Sequence, residues 1–257
     1  MQLNLGPGRG SIMTNFMRAC ILGFLLCMAV PTIAKAIWIA NSAELIQIDS
    51  STGATPRRLP VASIQQLAGT TDGGAWARTP TKLFYVVPEE QAGVTVDLAA
   101  LGLADVSLLA VDPYDNSAWI VSAGNMLAHV DATGNLRATA RLPQVASALA
   151  IGLDQSVWAA GERELWHLSA TAELRATFSF GAEWKQQISG LTVDSLTSRA
   201  WIVGQDQFVL LAFPSGEVNI VTADAAIRGS ALDPKSGNLW LLTDAGLVVY
   251  DGSARRV

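Results

Sequence analysis

Cysteine is almost missing from this sequence: of 257 residues only Cys20 and Cys27 are cysteines, and both lie in the first 36. The remainder therefore has no disulfide, no thiolate metal site and no cysteine nucleophile. Histidine is nearly as scarce. His129 and His167 are the only two, which leaves few side chains for proton transfer near neutral pH. Charged residues make up 15% of the chain, and 22 acids outnumber 17 bases. Three of those bases (Arg9, Arg18 and Lys35) and none of the acids fall in the first 36 residues, so 14 bases face 22 acids beyond them. That balance argues against nucleic acid and against an anionic membrane surface as partners. No long stretch shows a 3.6-residue apolar period, which excludes helical solenoids. No Gly-x-Ser-x-Gly elbow, His-Glu-x-x-His helix or Walker loop occurs, and the glycines at 6, 8 and 10 follow no strand.

What the chain does contain begins with an amino-terminal address. A positive region around Arg18 precedes an apolar run over 19–30, Pro31 breaks the run, and Ala34-Lys35-Ala36 follows. This order predicts a leader and secretory signal peptide over 1–36, with cleavage before Ile37. The run is too short for a comfortable membrane span, so no stable anchor is expected after cleavage. The protein is then expected in the periplasm or outside the cell. Phe24-Leu25-Leu26 before Cys27 is a poor match to a lipoprotein signal.

Beyond the leader, tryptophan sets a metre. Trp38, Trp76, Trp119, Trp158, Trp201 and Trp240 are spaced 38, 43, 39, 43 and 39 residues apart. Before most of them stands a short apolar strand and a turn, such as Leu109-Ala110-Val111-Asp112-Pro113 or Ala231-Leu232-Asp233-Pro234. The turns are finished by Asn116, Asp154, Ser198 and Gly237-Asn238, residues that accept turn geometry readily. After each tryptophan come a polar turn, an apolar strand, a turn usually containing glycine, and a last polar strand. Four short strands repeating at about 40 residues are the signature of propeller blades. A single blade cannot cover its own faces, and a tryptophan at a fixed position supplies the bulk that fills the gap to a neighbour. The expected fold is an all-β propeller over 37–257, with about six four-stranded blades.

The frame L-x-V-D-P-x-x-[GN]-x-x-W-[IL]-[VL] is clearest over 109–121 and 232–242. It resembles the NHL, YVTN and streptogramin-lyase-like group of secreted propellers over nearly all of 37–257. The resemblance implies the fold family much more than any one activity. Lyase-like members use a histidine base, an acid and a divalent metal, which here points to His129 or His167 with Glu162, Glu164 or Glu173. Gluconolactonase-type propellers hold their metal between Glu, Asn and Asp at the channel mouth.

The first unit begins at its tryptophan strand and the last ends near its third strand. The ring is thus expected to be incomplete or imperfectly closed, and the open edge favours a natural chain that continues past Val257.

Candidate site residues follow from departures from the repeat. His129 and His167 fall in one column, with Gln47, Tyr85, Leu211 and Val249 as its other members; a mixed column reads as a packing position, with catalysis as the sharper alternative. Asp112, Asp194 and Asp233 recur at one turn position. Calcium or magnesium could use clustered carboxylates there, whereas an Asx turn needs no metal. Trp166 and Trp184 lie off the repeat. Trp184 sits among polar residues on an inter-blade loop, which makes it a recognition anchor or a ring folded back over the core. Together these residues lead to a non-catalytic exported propeller that binds a protein, peptide or glycan, with a metal-dependent lyase or lactonase as the alternative.

Overall fold

The computed structural model describes residues 36–50, 52–87 and 93–257; the signal-peptide reading of 1–36, but for Ala36, lies outside them. These residues form a six-bladed β-propeller of small antiparallel sheets, with one short 3-10 turn at Ala99–Leu101. Among the described residues no helix is long and apolar enough to cross a membrane.

Blade 1 holds β1 (Ala36–Ala40), β2 (Leu45–Asp49) and β3 (Arg57–Leu59). Blade 2 holds β4 (Gln66–Gly69), β5 (Ala75–Arg78), β6 (Lys82–Val86) and β7 (Val94–Asp97). In blade 3 these are β8 (Val106–Val111), β9 (Ala118–Ser122), β10 (Met126–Val130) and β11 (Leu136–Arg141). Blade 4 follows with β12 (Ala148–Ile151), β13 (Val157–Ala160), β14 (Glu164–Leu168) and β15 (Leu174–Ser179). Blade 5 comprises β16 (Gly190–Asp194), β17 (Arg199–Val203), β18 (Gln207–Ala212) and β19 (Glu217–Thr222). Blade 6 is β20 (Ile227–Leu232), β21 (Leu239–Thr243) and β22 (Gly246–Tyr250). Four sheets have the expected four strands, while blades 1 and 6 have three. Inner strands β4, β8, β12, β16 and β20 neighbour one another in succession around the axis.

Alternation along the second strand of each blade explains the packing. In a strand, successive side chains face opposite ways. The tryptophan of β5, β9, β13 or β17 therefore points at the next blade while its two neighbours point back at the previous one. Trp119, Val121 and Leu127 of blade 3 meet Val157, Ala159, Trp166 and Leu168 of blade 4 in one buried cluster. Trp158, Ala160 and Leu165 of blade 4 meet Ala200, Ile202, Val209 and Leu211 of blade 5 in the same way. Equivalent clusters join blades 1 and 2, 2 and 3, and 5 and 6. Burying each tryptophan removes on the order of 200 Å² of mostly apolar surface from water, which makes these seams the main source of stability.

Turn geometry refines one expectation. Residues with positive φ in the turns between first and second strands are Gly73, Asn116, Gln155, Ser198 and Gly237. In blade 4 it is Gln155 that takes the left-handed position, and Asp154 before it caps the turn by accepting hydrogen bonds from Ser156 N and Oγ.

Candidate functional site

Antiparallel strands sort the loops onto two rims. Turns between first and second strands share one rim with the turns between third and fourth. The opposite rim carries the turns between second and third strands and the connections from one blade to the next.

The repeat aspartates all lie on the first rim, and each acts within its own turn. Asp112 Oδ1 accepts from Tyr114 N at 2.8 Å, Asp194 Oδ1 from Leu196 N at 3.0 Å, and Asp233 Oδ1 from Lys235 N at 3.0 Å. These are Asx turns, in which the carboxylate stands in for a backbone acceptor. Burial pushes the Asp112 carboxyl up from its ordinary range, against the Tyr114 hydrogen bond that lowers it. The Ser236 hydroxyl, with backbone N–H groups, holds Asp233 below that range. Cross-links join neighbouring turns as well: Thr71 Oγ1 donates to Asn116 Oδ1 at 2.8 Å, and Ser195 Oγ to Asp154 Oδ1 at 3.1 Å. Among the described residues no group of three or more His, Cys, Asp or Glu side chains could hold a metal ion. Of the two expectations for the aspartate column, the Asx turn is the one its hydrogen bonds show: Asp112, Asp194 and Asp233 sit in separate blades and spend their oxygens within their own turns.

Both histidines lie inside seams. His129 stacks on Trp119 with ring centroids 4.1 Å apart, and its Nε2 meets Ser117 Oγ at 2.7 Å. His167 stacks on Trp158 at the same 4.1 Å, and its Nε2 is buried with no hydrogen-bond partner. Burial pushes both imidazoles below the ordinary histidine range; nearby Asp115 and Asp131 partly offset this for His129, and Asp154 for His167. The stacking follows from register, since the column faces the blade tryptophan across the ladder: Trp119 pairs with His129, Trp158 with His167, Trp76 with Tyr85 and Trp38 with Gln47. In blade 5 the partner of Trp201 is Leu210, so Leu210 replaces Leu211 in the column. His129 fills the seam between blades 3 and 4 and His167 the next one, so a whole sheet separates them. Glu164 spends its carboxylate on Trp166 Nε1 at 3.2 Å. The two histidines do not converge on a common acid; each fills the packing position that the mixed column implies, stacked on its blade tryptophan.

Trp166 and Trp184 are both fully buried, with 0% exposure. Trp166 points back from β14 into the seam with blade 3. Trp184 packs edge-on against Phe180 and joins the core between blades 4 and 5. Neither ring is available as a surface anchor, and the second of the two expectations for Trp184 is the one realised. A β-carbon on Gly204 would come within 2.8 Å of the Trp184 ring. The lack of one gives the indole room to turn inward.

The buried Trp184 nevertheless shapes the most distinctive feature of the second rim. It pins the connection 180–189, the longest between blades, and Gln186 completes the anchorage. The Gln186 carbonyl accepts from Gln205 N at 2.7 Å and Asp206 N at 3.0 Å, and its amide donates to the Asp206 carboxylate. Between this loop, the turn at Gln205 and Asp206, and Ile227 of blade 6 lies a hollow of about 560 Å³. Lys185, Gln187, Gln205 and Asp206 are exposed around it, and buried Ile188 and Ile227 provide an apolar floor. Sequence reasoning found this loop but not Gln186, whose role depends on a turn 19 residues away.

No family profile matches this chain, and no curated protein matches it.

Proposed function

We propose that this protein is an exported, non-catalytic binding module that takes a peptide, protein loop or glycan in the hollow at the second rim. The observation that carries the reading is the anchored loop 180–189. Trp184 and Gln186 hold it in place before any ligand arrives, so little conformational entropy is lost on binding. Lys185 and Asp206 offer one charge of each sign, and Gln187 and Gln205 offer amide donors and acceptors. A small apolar floor with convergent polar groups suits a polar chain. The leader-like start and the repeat frame shared with secreted NHL-like and YVTN-like propellers support export.

Immobilised peptide and oligosaccharide arrays probed with the full chain, beside a Gln187→Trp variant that fills the hollow, test the reading. Binding to at least one array feature is expected, with at least a tenfold loss in the variant and no change in its melting temperature. Equal binding by both proteins moves the site elsewhere. A rise in melting temperature with calcium or magnesium that EDTA reverses favours a metal-dependent enzyme instead.

A further inference from the structure

A capping aspartate fixes the backbone of its turn but does not dictate which side chain the turn holds out to water. Two residues past Asp233 that position carries Lys235, an ordinary exposed cation. Two residues past Asp112 and Asp194 it carries Tyr114 and Leu196, which are 76% and 74% exposed, although the same kind of hydrogen bond ties their N–H groups to the cap. The turn of blade 4 holds out Leu153, also exposed. Leu136 and Leu174 open the fourth strands of blades 3 and 4 at the same rim, opposite Val130 and Leu168, and are exposed as well. Single exposed aliphatics are common on any protein, but five on one rim of three consecutive blades form a patch. Folding does not call for them, since Lys235 serves the same turn in blade 6.

The patch is held still. Ser195 Oγ donates to Asp154 Oδ1 at 3.1 Å and so ties the Leu196 turn to the Leu153 turn. Gly152 lets these turns approach, because a β-carbon there would collide with Ser195 Oγ. Thr71 Oγ1 braces the Tyr114 turn from blade 2 through Asn116. Little ordering is left to be done when a ligand arrives. Charge then selects the occupant. At this rim the turns of blades 3 to 5 span 112–117, 131–135, 152–156, 169–173, 194–198 and 213–216. They contain Asp112, Asp115, Asp131, Asp154, Glu173 and Asp194 and no lysine or arginine. Arg137 of β11 offsets part of this by pairing with Asp115 at 3.2 Å and Asp131 at 3.3 Å. Even with Arg175 and Arg199 of the flanking strands counted, the acids prevail. A second copy of this chain, with 14 bases against 22 acids beyond residue 36, would bring more charge of the same sign.

We propose that the first rim of blades 3 to 5 docks a basic, amphipathic segment of another protein. Its apolar side chains cover Tyr114, Leu153 and Leu196, and its lysines or arginines lie beside the turn carboxylates, a pairing that steers the encounter as well as fixing the partner. The surface is on the opposite rim from the hollow at 180–189. It therefore stands apart from the reading of that hollow, and one molecule can hold a ligand at each end of its axis.

Fluorescence anisotropy of the full chain with a labelled peptide alternating leucine and lysine tests this. Control peptides alternate leucine with glutamate and serine with lysine. The leucine-lysine peptide is expected to bind at least tenfold more tightly than either control and to weaken as salt rises. The variant Tyr114→Ser with Leu196→Ser, changed at exposed positions only, is expected to bind it at least tenfold more weakly with an unchanged melting temperature. Val145→Ser, exposed on the opposite rim, and Gln187→Trp, which fills the hollow, are expected to bind as wild type does. Glu173→Lys is expected to weaken binding several-fold through charge alone, and it serves if the double variant misfolds. The proposal is overturned if the leucine-lysine peptide does not bind, if the serine-lysine peptide binds equally well, or if the double variant binds as wild type does. Self-association of the wild type that the double variant abolishes would put a second copy on this surface and overturn the proposal too.

Discussion

Trp201 and Trp240 occupy the same place in successive blades, pair with the third strand in the same register, and differ in what lies beyond them. Trp201 is sealed among Val203, Phe208, Leu239 and Leu241. Trp240 has the same kind of neighbours on its own blade, but they stand partly open to water. The pair shows that a blade supplies only half of its own core. The tryptophan and its flanking aliphatics are committed by alternation, and the free energy is collected only where a second sheet covers them.

The largest expected effect comes from removing that half where it is covered. Trp201→Ala should cost about 3–5 kcal/mol, the usual range for a buried tryptophan cut to alanine. Trp240→Ala should cost less than half as much in dilute protein, as read by denaturant unfolding of both. Equal losses would mean that the blade 6 face is covered in solution.

The histidine column sharpens the comparison at a smaller scale. The seams after blades 3 and 4 carry His129 and His167 against the tryptophan, where the seam after blade 5 carries Leu210. Both imidazoles are pushed below the ordinary value of 6.5 by burial. The unfolded chain therefore binds protons at a pH where the folded chain does not. Stability is complete above about pH 6.5 and falls as pH drops below it, until the folded imidazoles themselves take up protons. Asp115, Asp131 and Arg137 act on His129, and Asp154 and Arg175 on His167. His167→Leu makes its seam resemble the next one and relieves the unpartnered Nε2. Melting temperatures measured between pH 7.5 and 5 should fall less steeply in that variant than in wild type.

The smallest effect belongs to the uncovered face. Leu247→Gln should change the stability of the monomer by no more than about 0.5 kcal/mol, as for most exposed positions. Leu127→Gln, at the equivalent sealed position, places an amide in a closed seam and should cost several times more.

Much of this architecture was legible because the repeat is strong. The tryptophan spacing located all six second strands, and the Asp-Pro and glycine turns located the bends around them. Legibility failed where register depended on a partner strand or a neighbouring blade. The repeat spacing puts Leu211 in the histidine column because the hydrophobic run of β18 offers no polar marker, and only the pairing of Trp201 with Leu210 resolves it. Trp184 stands among polar residues in the sequence, yet its ring turns inward because Gly204 and the seam between blades 4 and 5 leave space for it. Gln186 gave no local signal at all, since its value lies in satisfying backbone N–H groups of another loop.

By itself the sequence determined the unit: four short strands, a tryptophan on the second, caps at the turns, and the alternation that sends each side chain one way or the other. Period and alternation are local properties of the backbone, so they can be read along the chain. Only the tertiary structure decided which of the identical faces are sealed, which loop is pinned and where a hollow opens. Those outcomes depend on the sheet that arrives from the next blade, and a column of tryptophans in the sequence looks the same whether or not one arrives.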